Sequence, residues 1–244
     1  MRSVKTTFQV LDAVAVHQPV GLSELARRLD LPKSTVQRSL ATLAELEWIR
    51  TDGGTARWVL GEHARTLSEL IDDLGRLREV AAPVLERLNE ATLETIHLAV
   101  PDGRAVRLAE RRDSKHALRL VRPIGDKSPL HAGSTGKSVL AYLPSPEIEN
   151  YIDGGLDPLT PNTIVDPDEL RGELARIRDR GYAITVDELF LGITSVASSV
   201  RPGGGRPIAA VSISGASSRI PADVRSEFGR LVTEATREIG DQLR

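Results

Sequence analysis

The sequence predicts an α+β protein in two parts: a helical N-terminal segment closed by a β-hairpin, then a larger segment of strands and helices. Three observations carry this expectation. Apolar residues recur at helical spacing within the first 46 positions, in runs separated by turn formers. Two short strand-like runs follow around Asp52-Gly53-Gly54, a hairpin signal. Beyond about residue 75, antiparallel strand signals are followed by separated helices.

The first helix spans about residue 3 to His17, where Pro19 and Gly21 break the pattern. Leu22 and Ser23 read as a staple residue and an N-cap opening a second helix through Leu29. Asp30, Leu31 and Pro32 form a tight turn. A third helix follows, with Val36, Leu40, Leu43 and Leu46 as its core stripe. At about 100° per residue, Ser34, Arg38, Ala41 and Glu45 face outward, flanked by Thr35, Gln37 and Thr42. Trp48 to Arg50 and Arg57 to Leu60 are the strands of the hairpin. Helix, helix-turn-helix, then hairpin is the winged-helix order, and both tryptophans read as core anchors.

Composition bounds the function. At about 150 residues per domain, 244 residues leave one large domain or two small ones open. Hydrophobic residues make up 40% and charged residues 27%, with a net charge of −2, which excludes disorder and a coiled-coil fibre. Absence of cysteine excludes disulfides, thiol nucleophiles and cysteine-held metals. The five histidines show no metal-binding spacing, so no metal or other cofactor is expected. Apolar runs fall well short of the ~20 residues of a membrane helix. Asp12 interrupts the stretch that could pass for a secretory signal, and Val4, Phe8, Leu11 and Ala15 keep helical spacing there. A cytoplasmic protein is expected.

Local charge departs from the average. Arg27, Arg28, Lys33 and Arg38 against Asp30 alone make residues 27–40 a small basic patch. In a helix-turn-helix, the first residues of the second helix meet base edges in the major groove. Gln37 and Arg38 can each bond two base atoms at once. The hydroxyls of Ser34 and Thr35, with Lys33, suit phosphate. Arg50 and Arg57 flank the wing, where the DNA backbone would lie.

Residues 63–75 place Leu67, Leu70, Ile71 and Leu74 on one side of a short linker helix, and a separate helix begins at Leu77. Strands are expected at 95–100, 105–109, 117–121, 194–200 and 207–214. Helices are expected at 135–143, 168–180 and 221–243. Gly133-Ser134-Thr135-Gly136-Lys137-Ser138 ends like a phosphate-binding P-loop, yet His131 stands where that motif needs its first glycine. A small-molecule enzyme using this loop is the rival reading. Small residues at 133–136 would let an anion approach backbone N–H groups. Ser195, Ser212 and Ser214 lie on strands, with Ser212 and Ser214 on one face. His97 reads as a core or groove residue. Asp187-Glu188 reads as hydrogen-bonding the wall of a pocket.

Residues 22–43 resemble the DNA-binding signature of IclR-type bacterial transcription regulators, most specifically at Leu31-Pro32-Lys33-Ser34-Thr35-Val36 followed by Arg38 and Leu40. The resemblance continues at Pro129 to Lys137, Arg180-Gly181-Tyr182-Ala183, Asp187-Glu188, Gly192 to Ala197 and Ala210 to Gly215, and so covers essentially the whole chain. It implies a winged helix-turn-helix domain (1–62), a linker helix (63–75) and a GAF-like effector-binding domain (76–244). Ser134, Thr135, Ser195, Ser212 and Ser214 would bind a small organic acid. Double-stranded DNA, as a pseudo-palindromic operator, and a second or fourth copy of the chain are the other expected partners. Ser195 stands where the family often has cysteine, and Thr185 where an acidic residue is common.

Overall fold

The computed structural model describes residues 2–243; the side chains of Arg2 and of residues 68–72 are not among those described. Two of the four linker residues, Leu70 and Ile71, therefore lie outside the described side chains. The chain forms two compact units, residues 1–76 and 77–244.

In the first unit, α1 (Arg2–His17), α2 (Leu22–Leu29) and α3 (Lys33–Glu45) enclose a core of Val10, Val14, Leu25, Val36 and Leu40. Helix α2 starts two residues earlier than the capping pattern suggests. Gly21 is its N-cap, Leu22 is already helical, and no side chain caps it. Asp30 ends α2 in the left-handed conformation at φ 51°, which a short polar side chain tolerates. Strand β1 (Val20–Gly21) was not foreseen. It pairs with β3 (Arg57–Leu60), which pairs in turn with β2 (Ile49–Thr51). Trp48 and Trp58 pack partly buried against the helical core. Leu46, read as the end of the core stripe, is 57% exposed, because α3 ends at Glu45 and its successor leaves the helical face.

The linker and the helix after it are one element, α4 (Glu62–Thr92). A lone glycine costs a helix only about 1 kcal/mol relative to alanine, so Gly75 does not end it. The second unit is built on a six-stranded antiparallel sheet. Its members are β4 (Thr95–Asp102), β5 (Ala105–Arg112), β6 (Lys127–Pro129), β7 (Ala183–Val186), β8 (Ile193–Val200) and β9 (Ala209–Ala216), in the order β6-β5-β4-β9-β8-β7. Residues 117–121 are not a strand. Strand β6 takes the place beside β5, and Leu118 and Val121 stand exposed in an irregular crossing.

Helices cover both faces of this sheet. On one, α5 (Ser134–Leu140), α6 (Ser145–Asp153) and α7 (Pro167–Arg180) share a core with Ala99, Ala183 and Ala210. On the other, α8 (Ala222–Gln242) packs on β8 and β9, and the second half of α4 is tied to it by Arg87–Glu238 at 2.7 Å. Helix α7 carries its own boundaries: Asp166 accepts from Glu169 N–H at 2.8 Å, Pro167 opens the helix, and Gly181 closes it at φ 88°.

Gly136 seats α5. A Cβ there would lie 2.7 Å from both the Cα and the carbonyl oxygen of Leu130. Gly136→Ala should therefore destabilise the second unit by about 1–3 kcal/mol, the usual cost of overpacking. Gly172, in α7, meets nothing closer than 3.5 Å, so Gly172→Ala should stabilise by about 0.5–1 kcal/mol. Urea unfolding followed by circular dichroism measures both, while fluorescence of Trp48 and Trp58 follows the first unit separately. Equal effects at the two glycines would show that α5 does not seat on the Leu130 backbone.

Candidate nucleic-acid interface and ligand cavity

Helix α3 presents Lys33, Ser34, Gln37 and Arg38 exposed, with Thr35 half-buried beside them. Thr35 and Arg38 also line a groove between α1 and α3, where Thr7 Oγ1 and Ser39 Oγ stand 3.3 Å apart. The polar start of α3 and its apolar stripe thus lie on opposite sides, as the spacing demands. Arg50 is exposed on β2. Arg57, on β3, is engaged within its own unit: Nε donates to Pro19 O at 2.9 Å and Nη2 reaches Glu24 at 3.3 Å. Its guanidinium holds the wing to α2 while keeping half of its surface in solvent.

The five residues expected to bind an effector come together. Ser134, Thr135, Ser195, Ser212 and Ser214 all line one small cavity of about 30 Å³ between the sheet and α5. Register explains the strand members: Ser195 pairs with Ser214 across β8 and β9, and Ser212 follows on the same face. Ser195 Oγ donates to Ser214 Oγ at 2.9 Å, and Ser214 Oγ lies 3.3 Å from Ser212 Oγ. Thr185, paired with Ser195 on β7, extends the row.

The loop after β7 forms part of the cavity wall through Leu189 and Phe190. Asp187 Oδ1 accepts from Gly192 N–H at 2.9 Å and Ser217 Oγ at 2.8 Å, while Thr160 and Thr163 hydroxyls hold the carbonyls of residues 187 and 188. Glu188 forms an ion pair with Lys137, whose side chain is fully buried in α5. Burial pushes the Glu188 carboxyl above its usual range, and Lys137 offsets part of that rise. The P-loop reading fails here on geometry: the 133–138 segment is buried and its lysine is held by Glu188, where a P-loop lysine must face phosphate. Beneath α5, His131 Nε2 donates to Asp157 O at 3.0 Å and its Nδ1 accepts from Tyr151 OH at 2.8 Å; burial lowers its pKa.

Three cavity residues were not among those singled out as binding groups. Arg122 follows the segment misread as a strand, lines the cavity and pairs with Asp126 at 2.8 Å. Ser128 is on β6, three residues long and too short to register as a strand pattern. His97, recognised only as a core or groove residue, is buried in the cavity wall. Burial, then the charges of Arg122 and Arg111, lowers its pKa from 6.5 to about 3, so the imidazole is neutral at physiological pH.

Both units of the chain match known proteins. Residues 3–53 match the IclR helix-turn-helix domain, and residues 73–241 match the C-terminal domain of bacterial transcriptional regulator IclR. The transcriptional repressor IclR of Escherichia coli K12 is 34% identical over 224 residues, covering 90% of this chain and 81% of that protein. The crystal structure of Thermotoga maritima IclR superposes with a TM-score of 0.68 at 30% identity, over 100% of this chain and 99% of that one. An IclR homologue from Microbacterium hydrocarbonoxydans, solved in complex with 4-hydroxybenzoate, gives 0.65 at 26% identity over 99% of both chains. The chain belongs to the IclR family of DNA-binding transcriptional regulators, and its function is regulation, not catalysis.

Proposed function

We propose that this regulator is a cytoplasmic repressor that reads its operator with Lys33, Ser34, Thr35, Gln37 and Arg38, braces on phosphates with Arg50 and Arg57, and answers a small organic acid held by Ser134, Thr135, Ser195, Ser212 and Ser214. The observation that carries the effector half is the convergence of those five polar residues, from three separate segments, on one cavity. Among the described residues lining it, Arg122 is a cation and none is a carboxylate, which favours an anionic ligand. The relative solved with 4-hydroxybenzoate supports an organic acid. No helix among the described residues is long and apolar enough to cross a membrane.

Arg38→Ala should weaken operator binding by about 1–3 kcal/mol and relax base preference at one position. Arg50→Ala should weaken all duplexes alike and lower the salt slope by about one unit. Arg57→Ala should do less, because its charge is already shared with Glu24. Fluorescence anisotropy against operator and scrambled duplexes at several salt concentrations separates the two behaviours. Unchanged affinity and preference in Arg38→Ala would place the reading face elsewhere.

Ser214→Leu should abolish the ligand response and leave DNA binding near that of the ligand-free wild type. A ligand changes DNA affinity only by favouring one arrangement of the reading heads over another, a coupling typically worth about 1–3 kcal/mol. Operator titrations of both proteins, with and without organic acids chosen by thermal shift, test this. A full response in the variant would move the effector site away from the cavity.

One winged helix reads only a few base pairs, so a pseudo-palindromic operator calls for two copies. Val4 and Phe8, one turn apart on α1, are 60% and 56% exposed, an apolar surface suited to pairing. Light scattering at micromolar concentration should give a dimer or tetramer; a monomer that still binds operator tightly would defeat this.

A further inference from the structure

Two polar atoms in the cavity wall have no partner. His97 Nε2 and Ser128 Oγ are both buried and form no hydrogen bond with any described residue. Both residues line the cavity, and they are 4% and 3% exposed. Nearby hydroxyls are satisfied by one another, as Ser195, Ser214 and Ser212 form a short chain, and Ser138 Oγ donates to Thr135 O at 2.8 Å. A buried polar atom without a partner is destabilising, so two of them on one cavity surface mark where a ligand supplies what the protein does not.

From this we infer that His97 is a specificity residue for a hydroxyl carried by the effector, so that the ligand is a hydroxy acid rather than a simple carboxylate. This rests on the reading of the cavity as the effector site. The chemistry follows from the ring. Strand β4 holds His97 between Arg111 on β5 and Ser212 on β9. The surrounding cations, Arg111 and Arg122, are themselves bound to Asp113 and Asp126, at 2.7 Å and 2.8 Å, and they oppose a further positive charge on the imidazole. A neutral imidazole offers one N–H and one lone pair. A carboxylate can only accept, and so matches one tautomer. A hydroxyl both donates and accepts, and so satisfies Nε2 in either.

Ser128 Oγ stands on β6, two strands along the same sheet from His97, 3.7 Å from where a Cβ on Gly133 would lie, with Thr135 Oγ1 3.9 Å from the same point. Its hydroxyl has a proton to give, and the acid group of the ligand is the acceptor it lacks. His97 then discriminates among acids, while Ser128 contributes to binding all of them.

Matched pairs of probes test the inference on the full-length protein: lactate against propionate, and 4-hydroxybenzoate against benzoate, by isothermal titration calorimetry. Wild type should bind the hydroxylated member of at least one pair tenfold or more tightly. His97→Phe, which keeps a planar ring and removes both nitrogens, should erase that preference, so that the two members of the pair bind within about twofold of each other. His97→Gln, which keeps a donor and an acceptor, should retain part of it. Equal affinities within both pairs in wild type, or a preference that survives in His97→Phe, would overturn the assignment. If His97→Phe does not fold, loss of all preference in the Gln variant weighs against it equally. Failure of every acid to bind wild type would instead overturn the acid-cavity reading itself, and this assignment with it.

Discussion

Strand β9 is buried along all eight of its residues, and the C-terminal unit is arranged around the consequences. Its two faces must satisfy opposite demands. Val211 and Ile213 lie on the face covered by α8, where apolar burial stabilises at roughly 25 cal/mol per Å². Ser212 and Ser214 point the other way, into a space that small side chains leave open. A central strand can carry two hydroxyls on a buried face only if each finds a partner, and the register with β8 provides one by placing Ser195 beside Ser214. The cavity is thus a product of strand alternation in the middle of the sheet.

What lies over that face is held by charge as much as by packing. Lys137 has no exposed surface, and the desolvation of its ammonium would be severe without Glu188. The pair joins α5, which brings Ser134 and Thr135 to the cavity, to the loop that brings Leu189 and Phe190. A ligand touching both walls therefore meets two elements already tied together behind it. Elsewhere in the unit the same device recurs: Glu94, 3% exposed, receives a bidentate contact from Arg219 at 2.5 and 2.7 Å, in a space that exists because residue 215 is glycine.

Legibility from sequence followed the length and periodicity of each element. Long amphipathic helices and alternating strands, such as α7, β4 and β8, announce themselves through 3.6- and 2-residue periods. The polar face of α3 was legible for the same reason, since its apolar stripe fixes where its polar residues point. Short or irregular pieces carry no period. Strands β1 and β6, two and three residues long, were invisible, and 117–121 mimicked a strand whose place β6 occupies. Four of the five predicted cavity residues were found through serines and threonines that also matched a family pattern, and Ser195 through its place on a predicted strand within the matched Gly192 to Ala197 segment, despite standing where the family often has cysteine. His97 and Ser128 were not recognised as binding groups because nothing local marks them: what sets them apart is the absence of a partner, a property of the folded chain alone.

That last point bears on how such a regulator acquires its specificity. The family resemblance resides in residues that build the cavity: the glycine that lets α5 approach Leu130, the lysine that holds the loop, and the strand hydroxyls that bond to each other. Those groups are largely satisfied without a ligand, so changing the ligand need not disturb them. Atoms left without partners behave differently. Each lowers the stability of the empty form slightly and of the filled form not at all when the ligand supplies the missing bond, so each adds to the preference for one ligand over another. The same inequality supplies the differential affinity on which any response at the DNA depends, because a ligand shifts an equilibrium only as far as it binds one state better than the other. With the cavity read as the effector site, recognition of the effector and regulation by it would draw on the same few unsatisfied atoms in the cavity wall.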